Sequence, residues 1–165
     1  MFLAGLAWKR GNSQCHSRKG LDQDQDDDLV AMLARAEAVA DLLQTRYGTS
    51  LLIAYRRAAN ILRIEERKDG PFSGAISPSL LCEPAEVALD QSLKSYDVMS
   101  RSFDKEAYRS AMNMMATTLR APLDSFFEKV TVNAPEPELR RNRLRLLNQV
   151  RSIMDQIADF SRIEG

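Results

Sequence analysis

The apolar pattern of the carboxy-terminal segment constrains the fold of this chain more than any other feature. After the PEP segment at residues 135–137, large apolar residues recur at steps of three and four, and they are Leu139, Leu146, Leu147, Val150, Ile153, Met154, Ile157 and Phe160. Such steps place side chains on one face of an α-helix, whereas a half-buried strand alternates every second residue. The segment therefore predicts a long amphipathic helix at the end of the chain.

The rest of the sequence favours helices as well. The 165 residues fit one domain, and 44% of them are hydrophobic, which is enough for one buried core. Glycine and proline are sparse, and the longest segments are rich in Ala, Leu, Arg, Glu and Met, which lose little rotamer freedom in a helix. We predict an all-α bundle of about five helices over residues 26–165, preceded by a poorly ordered leader over residues 1–25.

Two helices are predicted in the first half of the chain. The first starts near Leu29 and is expected to bury one stripe, made of Leu29, Met32, Leu33, Ala36, Val39, Ala40 and Leu43. Gly48 is expected to end it in the left-handed conformation, and Thr49 or Ser50 then caps the second helix. The second helix carries an additional apolar strip, formed by Ile53, Ile61 and Ile64. A helix that is apolar on two sides is expected to lie centrally in its bundle.

Prolines and a loop set the boundaries of the remaining helices. The run KDGPFSGAISPS at residues 68–79 is rich in Gly, Pro and Ser, so it is expected to be a loop. Pro84 suits the first turn of a third helix, where its missing amide hydrogen has no partner to lose. A fourth helix is predicted from Asp104. Pro122 should break or kink that helix, because its ring clashes with the preceding turn.

Positive charge is concentrated in the last predicted helix. The chain has 23 Lys and Arg against 23 Asp and Glu, yet LRRNRLRLLNQVR at residues 139–151 contains no acidic residue. On a helical wheel of about 100° per residue, Arg141 and Arg145 point away from the apolar stripe. Arg140 and Arg151 flank it. For the outward pair, phosphate binding and a merely solvated helix face are both compatible with the sequence.

Arg143 is the one arginine of this run that falls within the apolar stripe. A buried guanidinium needs a carboxylate or several carbonyl oxygens to offset its lost hydration. We therefore predict a structural ion pair between Arg143 and an acid of the preceding segment, with Asp124 or Glu128 as its partner.

A second polar ridge is predicted on the second helix. Arg56, Asn60 and Arg63 follow one another at steps of four and three, with Arg57 beside them. These side chains can face phosphates, or they can pair with acidic residues of the same helix and of the first helix. The composition leaves both alternatives open.

Few residues are suited to catalysis or metal binding. The chain lacks Gly-rich phosphate loops and the GxSxG motif, and its single histidine, His16, lies in the predicted leader. Cys15 and Cys82 cannot complete a zinc site with it, and two distant cysteines fit a reducing compartment such as the cytoplasm. MFLAGLAWKRG has its apolar run ahead of its positive charges, so we expect no targeting or membrane segment. A small hydrolase is an alternative from the enzyme class, but it would need a nucleophile and a base that these motifs do not supply.

Two runs of the sequence are nevertheless familiar. YRRAANILRIEE at residues 55–66 and PLDSFFEKVTVNAPEPELRRNRLRLLNQV at residues 122–150 resemble the DALR-type anticodon-binding domain that ends the beta subunit of bacterial glycyl-tRNA synthetase. The ending IADFSRIEG is similar to that subunit's terminus. The resemblance extends over about residues 26–165, since the order of helices and the loop after Lys68 also correspond.

The resemblance implies a function in translation. In that family the alpha subunit binds glycine and ATP and holds the catalytic site, while the beta subunit contacts tRNA. It implies that this chain binds tRNA(Gly) but no DNA and no cofactor of its own, and that it works with the alpha subunit and the remainder of the beta subunit. The positions expected to contact tRNA are Arg56, Arg57, Asn60, Arg63, Lys129, Asn133, Arg140, Arg141 and Arg145. We place them where the second-helix ridge approaches the beginning of the last helix.

One further alternative is a helical module that docks onto other protein. Exposure of Met112, Met115 or Phe72 would favour it, because large exposed apolar patches mark protein interfaces. A module of this kind would need no selectivity for tRNA. Its surface would be apolar where an RNA-binding surface is cationic.

Overall fold

Five α-helices form the described part of the chain, which comprises residues 19–100 and 108–157 in a computed structural model. The helices are α1 (Lys19–Leu43), α2 (Arg46–Asp69), α3 (Pro84–Ser100), α4 (Tyr108–Lys129) and α5 (Pro137–Ile157). One short 3-10 turn, Pro78–Leu80, interrupts the connection from α2 to α3, and no strand occurs in these two ranges. The all-α prediction is therefore confirmed. The predicted fourth-helix start at Asp104 and the apolar position Phe160 lie outside the described residues.

The core lies around α2 and α4: α2 packs against α1, α4 and α5, and α4 packs against α1, α2 and α3, while α3 also packs against α5. Its largest fully buried side chains include Leu51, Leu62, Leu89, Met115, Leu119, Leu123, Phe126, Leu144 and Leu146. The central position predicted for α2 is confirmed. Its second apolar strip does not explain that position, because Ile53 is 63% exposed and Ile64 is 47% exposed.

The first helix begins earlier than predicted, and the amino-terminal half of its apolar stripe faces solvent instead of the core. It starts at Lys19, so residues 19–25 of the predicted leader are helical, and residues 1–18 lie outside the described residues. Extending an existing helix adds one hydrogen bond per residue and needs no buried face. Leu29 is 56% exposed and Leu33 is 57% exposed, whereas Ala38 and Leu42 on the opposite side are buried. The expected burial of this stripe was wrong for its amino-terminal half.

The junction between α1 and α2 depends on a glycine inside the second helix. α2 begins at Arg46, and its cap is Thr45, whose hydroxyl oxygen accepts the amide hydrogen of Gly48 at 3.0 Å. A Cβ atom on Gly48 would lie 1.9 Å from the carbonyl oxygen of Leu42. Gly48 therefore lets the two helix ends approach closely, instead of ending α1 as predicted.

Pro122 lies within one continuous helix. α4 runs from Tyr108 to Lys129 with Pro122 inside it, so of the predicted break or kink, the break does not occur. Leu119, Leu123 and Phe126 around it are fully buried. Tertiary burial of the surrounding turns thus outweighs the hydrogen bond that proline removes.

The connection from α2 to α3 is held by side chains of α5. The buried amide of Asn142 accepts the Ser77 amide hydrogen at 2.8 Å and donates to the Ser77 carbonyl oxygen at 3.1 Å. Arg145 donates from Nη1 to the carbonyl oxygen of Ala75 at 3.1 Å. Two consecutive anchors on one helix therefore fix the course of this loop.

Candidate nucleic-acid interface

Acidic residues of α2 face the beginning of α5 and neutralise part of the predicted cationic surface. Glu65 is buried and accepts a hydrogen bond from Arg140, which also donates from Nη1 to Asp69 at 2.6 Å. Lys68 donates to Glu65 at 3.0 Å. Asn133 accepts from the Arg140 Nε at 3.3 Å. Arg140 and Asn133, both predicted to contact tRNA, are therefore engaged within the protein.

A second ion pair joins the same helices nearer the end of α5. Arg151 binds Glu66 through both terminal nitrogens, at 2.7 Å and 3.1 Å, and it also donates to Asn148 at 2.6 Å. The Tyr55 hydroxyl donates to Asp155 at 2.6 Å. We call this set of contacts, together with those of Arg140, the α2–α5 seam. It confirms that Arg140 and Arg151 flank the apolar stripe of α5.

The seam shifts the proton affinities of its members. The hydrogen bond from Lys68, followed by that from Arg140, lowers the pKa of Glu65 below its ordinary value. Hydrogen bonds to Asp69 and Glu65 raise the pKa of Arg140, and the hydrogen bonds to Glu66 raise that of Arg151. Glu65, Arg140 and Arg151 are therefore held in their charged forms by these hydrogen bonds.

Arg143 forms a buried ion pair, but its partner differs from the predicted one. Its Nε donates to Glu86, which is fully buried near the start of α3, and its Nη1 donates to the carbonyl oxygen of Thr131 at 2.8 Å. The Asp124 carboxylate oxygen Oδ2 instead lies 3.7 Å from Arg120 Nε on the surface of α4. The pairing with Asp124 was therefore wrong. The apolar stripe of α5 turns Arg143 inward to α3, away from the α4 face that carries Asp124.

The remaining arginines of α5 line an open groove at the end of α2. We call it the arginine groove; it has a volume of about 400 Å³, and its polar lining is Asp69, Ser73, Arg140, Arg141 and Arg145. Arg141 is exposed and has no carboxylate partner among the described residues. Arg145 is partly buried and makes its hydrogen bond to a backbone oxygen. The groove thus keeps two guanidinium groups that no acid neutralises.

The ridge on α2 is exposed but does not meet this groove. Asn60 and Arg63 are exposed, and Arg63 Nη2 donates to Asn60 Oδ1 at 3.5 Å. Side chains two positions apart on a helix point in directions about 200° apart around its axis. Arg67 continues the ridge and Asp69 lines the groove, so the ridge and the groove lie on opposite sides of α2. The ridge thus lies on the side of α2 away from the groove, and a tRNA-binding surface shared by the ridge and the start of α5 stays a prediction. Acidic residues of α2 occupy the side that faces α5.

The other predicted contact residues are distributed over different surroundings. The Arg57 guanidinium lies 4.4 Å from the ring centroid of Phe127 on α4, and Arg56 is half-buried and has contacts within the protein. Lys129 is exposed in the last turn of α4. The sequence interpretation missed Arg67, although its spacing of four from Arg63 continues the same ridge.

Metal and membrane sites receive no support from these residues. Within residues 19–100 and 108–157, no group of three His, Cys, Asp or Glu is arranged to hold a metal ion. No helix in the described ranges has both the length and the apolar character that a bilayer crossing requires. Met112, Met115 and Phe72 are buried, so the predicted sign of a docking module is absent at those three positions.

Comparison with known proteins adds a family to this geometry. The family model described as the DALR anticodon binding domain matches residues 51–163. A glycine–tRNA ligase beta subunit of Rhodospirillum centenum is 47% identical over 142 residues, which are 84% of this chain and 20% of that protein. The beta subunits of Ruegeria sp. and Phenylobacterium zucineum are 43% and 44% identical, over 84% and 85% of this chain.

This chain spans 20–21% of the length of those relatives. The family match covers every residue named in the α2–α5 seam and in the arginine groove. With its five helices in place and more than half of its residues matched, the chain belongs to the DALR anticodon-binding domain family.

Proposed function

We propose that this chain binds the anticodon region of tRNA(Gly) as part of the beta subunit of a glycine–tRNA ligase. The observation that carries the proposal is the family match over residues 51–163, in a chain whose relatives are named as such beta subunits. The charge distribution supports it. Arg141 and Arg145 in the arginine groove, and the ridge with Arg63 and Arg67 on α2, present positive charge without an acidic partner among the described residues.

Base recognition and phosphate binding require different side chains. Glycine codons begin with GG, so the matching anticodons share two cytosines, whose O2 and N3 atoms accept hydrogen bonds and whose N4 donates. Bases in a single-stranded loop expose these edges to arginine and asparagine side chains. Arginine and lysine side chains at the flanking phosphates supply affinity that does not depend on sequence. Exposed Asn60 is a candidate for base recognition, and exposed Lys129 is a candidate for phosphate binding.

The remaining parts of the reaction are performed elsewhere in the synthetase in this proposal. The alpha subunit binds ATP and glycine and performs the chemistry, and the rest of the beta subunit completes the contact with tRNA. Because the reaction supplies translation, the assembly works in the cytoplasm. This chain contributes positioning of the anticodon stem and loop and needs no cofactor.

A titration with two RNAs tests the proposal. The chain is titrated with tRNA(Gly), and with the same tRNA in which both anticodon cytosines are exchanged, at low and at moderate salt. We expect both affinities to fall as salt rises. We also expect the exchanged tRNA to bind about tenfold more weakly or worse, because each well-made base contact contributes about 1–3 kcal/mol of discrimination. Equal affinity for both tRNAs at both salt concentrations would refute anticodon recognition.

A docking function is the second candidate, and one observation favours it. The outward stripe of α1 exposes Leu29, Val30, Met32 and Leu33, each by more than half of its surface. The relatives are much longer than this chain, so the rest of a beta subunit is a candidate to cover the stripe. In the titration above, absence of tRNA binding even at low salt would favour docking over RNA recognition.

A further inference from the structure

We propose that the arginine groove binds one backbone phosphate of the RNA through Arg141 and Arg145, and that it does so without reading a base. The inference rests on the proposed function and assigns a task to one surface within it. It also separates these two arginines from Arg140, which the sequence pattern groups with them.

The guanidinium of Arg145 is held in place before any ligand arrives. Its Nη1 donates to the Ala75 carbonyl oxygen at 3.1 Å, and its edge lies against Gly74, where an added Cβ would be 3.4 Å from Nη2. Gly74 has a φ of 119°, a conformation that other residues rarely adopt. Its Nε is shielded from solvent and has no acceptor among the described residues. A pre-positioned donor group loses little conformational entropy when an anion binds.

The charges of the groove favour an anion. Its acid, Asp69, is already engaged by Arg140 at 2.6 Å, and Arg140 is held by Glu65 as well. Arg141 and Arg145 therefore contribute two positive charges that are not paired with the carboxylate of the groove lining. Arginine forks match the geometry of phosphate oxygens and bind them through parallel hydrogen bonds.

The lining of the groove favours a phosphate over a base. Its polar side chains are Asp69, Ser73, Arg140, Arg141 and Arg145, and its volume of about 400 Å³ has room for a phosphate with its sugar. Single-stranded bases are usually held by stacking on exposed aromatic rings. Phe72, the aromatic residue that lines this groove, is only 5% exposed. The groove therefore offers no exposed aromatic ring on which a base could stack.

Charge-removal variants test the inference with tRNA(Gly) as the probe. In R141A/R145A we expect affinity at low salt to fall about tenfold or more, because hydrogen bonds to charged groups are lost. The loss should be equal for tRNA(Gly) and for the tRNA with exchanged anticodon cytosines. Because both arginines bind the same phosphate, the slope of log K against log salt should decrease by about 0.7 and not by about 1.4.

Two further variants separate a directed contact from general charge. R46A/R109A removes two exposed positive charges, one at the opposite end of α2 from the groove and one at the start of α4, and it should bind as the wild type does. R145K keeps the charge but loses the planar fork, so it should bind more weakly than the wild type. Thermal unfolding of every variant checks that it is folded.

The outcomes distinguish this inference from the function on which it rests. If R141A/R145A keeps the affinity and salt slope of the wild type while the wild type still prefers tRNA(Gly), the phosphate site is wrong and the proposed function stands. If the double variant loses only the anticodon preference, the groove reads a base. If the wild type binds neither tRNA, the proposed function fails and the phosphate site fails with it.

Discussion

At the scale of single residues, Glu86 and Arg143 connect three parts of the fold. One carboxylate oxygen of Glu86 accepts the amide hydrogens of Cys82 and Glu83, both at 2.8 Å, and so caps the start of α3. The other oxygen accepts from Arg143, which in turn donates to Thr131 in the loop after α4. Removing either member leaves a buried charge whose desolvation is no longer offset.

Arg143→Ala should therefore destabilise the chain strongly. We expect the free energy of unfolding to fall by about 3–5 kcal/mol, as for other broken buried ion pairs. Urea denaturation measures this change. Arg141→Ala removes the same charge from an exposed position of α5 and should change stability by less than about 0.5 kcal/mol. Similar small effects for both variants would show that the pair contributes nothing to stability.

At the scale of helices, α1 shows that an apolar stripe does not reveal which side faces the core. Its apolar residues at steps of three and four do form one stripe, but the side of α1 that is buried in the bundle carries Ala38 and Leu42. Small side chains there allow close approach, and Arg109 of α4 binds Asp41 of α1 at 2.7 Å. The exposed large residues of α1 consequently add little to the stability of this chain by itself.

Leu29→Glu together with Leu33→Glu should leave the stability of the isolated chain within about 0.5 kcal/mol of the wild type, because both side chains are exposed. Leu42→Ala, on the buried side of the same helix, should cost about 2–5 kcal/mol. Thermal and urea unfolding compare the two. A large loss in the glutamate variant would place the stripe in the core, as the sequence pattern had predicted.

At the scale of the whole molecule, the 23 acidic and 23 basic residues balance in number, but their pairing is uneven. The α2–α5 seam places Glu65, Glu66 and Asp69 against arginines of the last helix. Arg141 and Arg145 in the groove have no such partners among the described residues. A net charge of zero therefore coexists with a locally positive surface, because the pairing of charges is uneven over the molecule.

The seam also predicts how stability depends on pH. The folded pKa of Glu65 is lowered, so its contribution is complete above its ordinary value of 4.5 and is lost as the pH falls through the folded pKa. Between about pH 6 and about pH 3, the wild type should lose more unfolding free energy than Glu65→Gln, which carries no titrating group there. Glu128→Gln, at an exposed position of α4, is the control and should follow the wild type. Parallel losses in Glu65→Gln and the wild type would contradict the prediction.

The sequence was sufficient for those features that depend on neighbours along the chain. Apolar steps of three and four located the helices, and Arg143 was recognised as buried because it interrupts such a stripe. The identity of its partner, Glu86, could not be found in this way, since 57 positions separate the two residues in sequence. The same limit applies to Arg140, because only the packing of α2 on α5 brings Glu65 and Asp69 to it.

The loop between α2 and α3 has a further consequence for changes in its length. Asn142 binds Ser77 and Arg145 binds Ala75. Two side chains of α5 therefore fix two positions of a loop segment that runs antiparallel to the helix. The two side chains are about 4.5 Å apart along the helix axis, and the two backbone positions are about 6.6 Å apart in extended chain. One residue inserted between Ala75 and Ser77 moves one of them past its anchor.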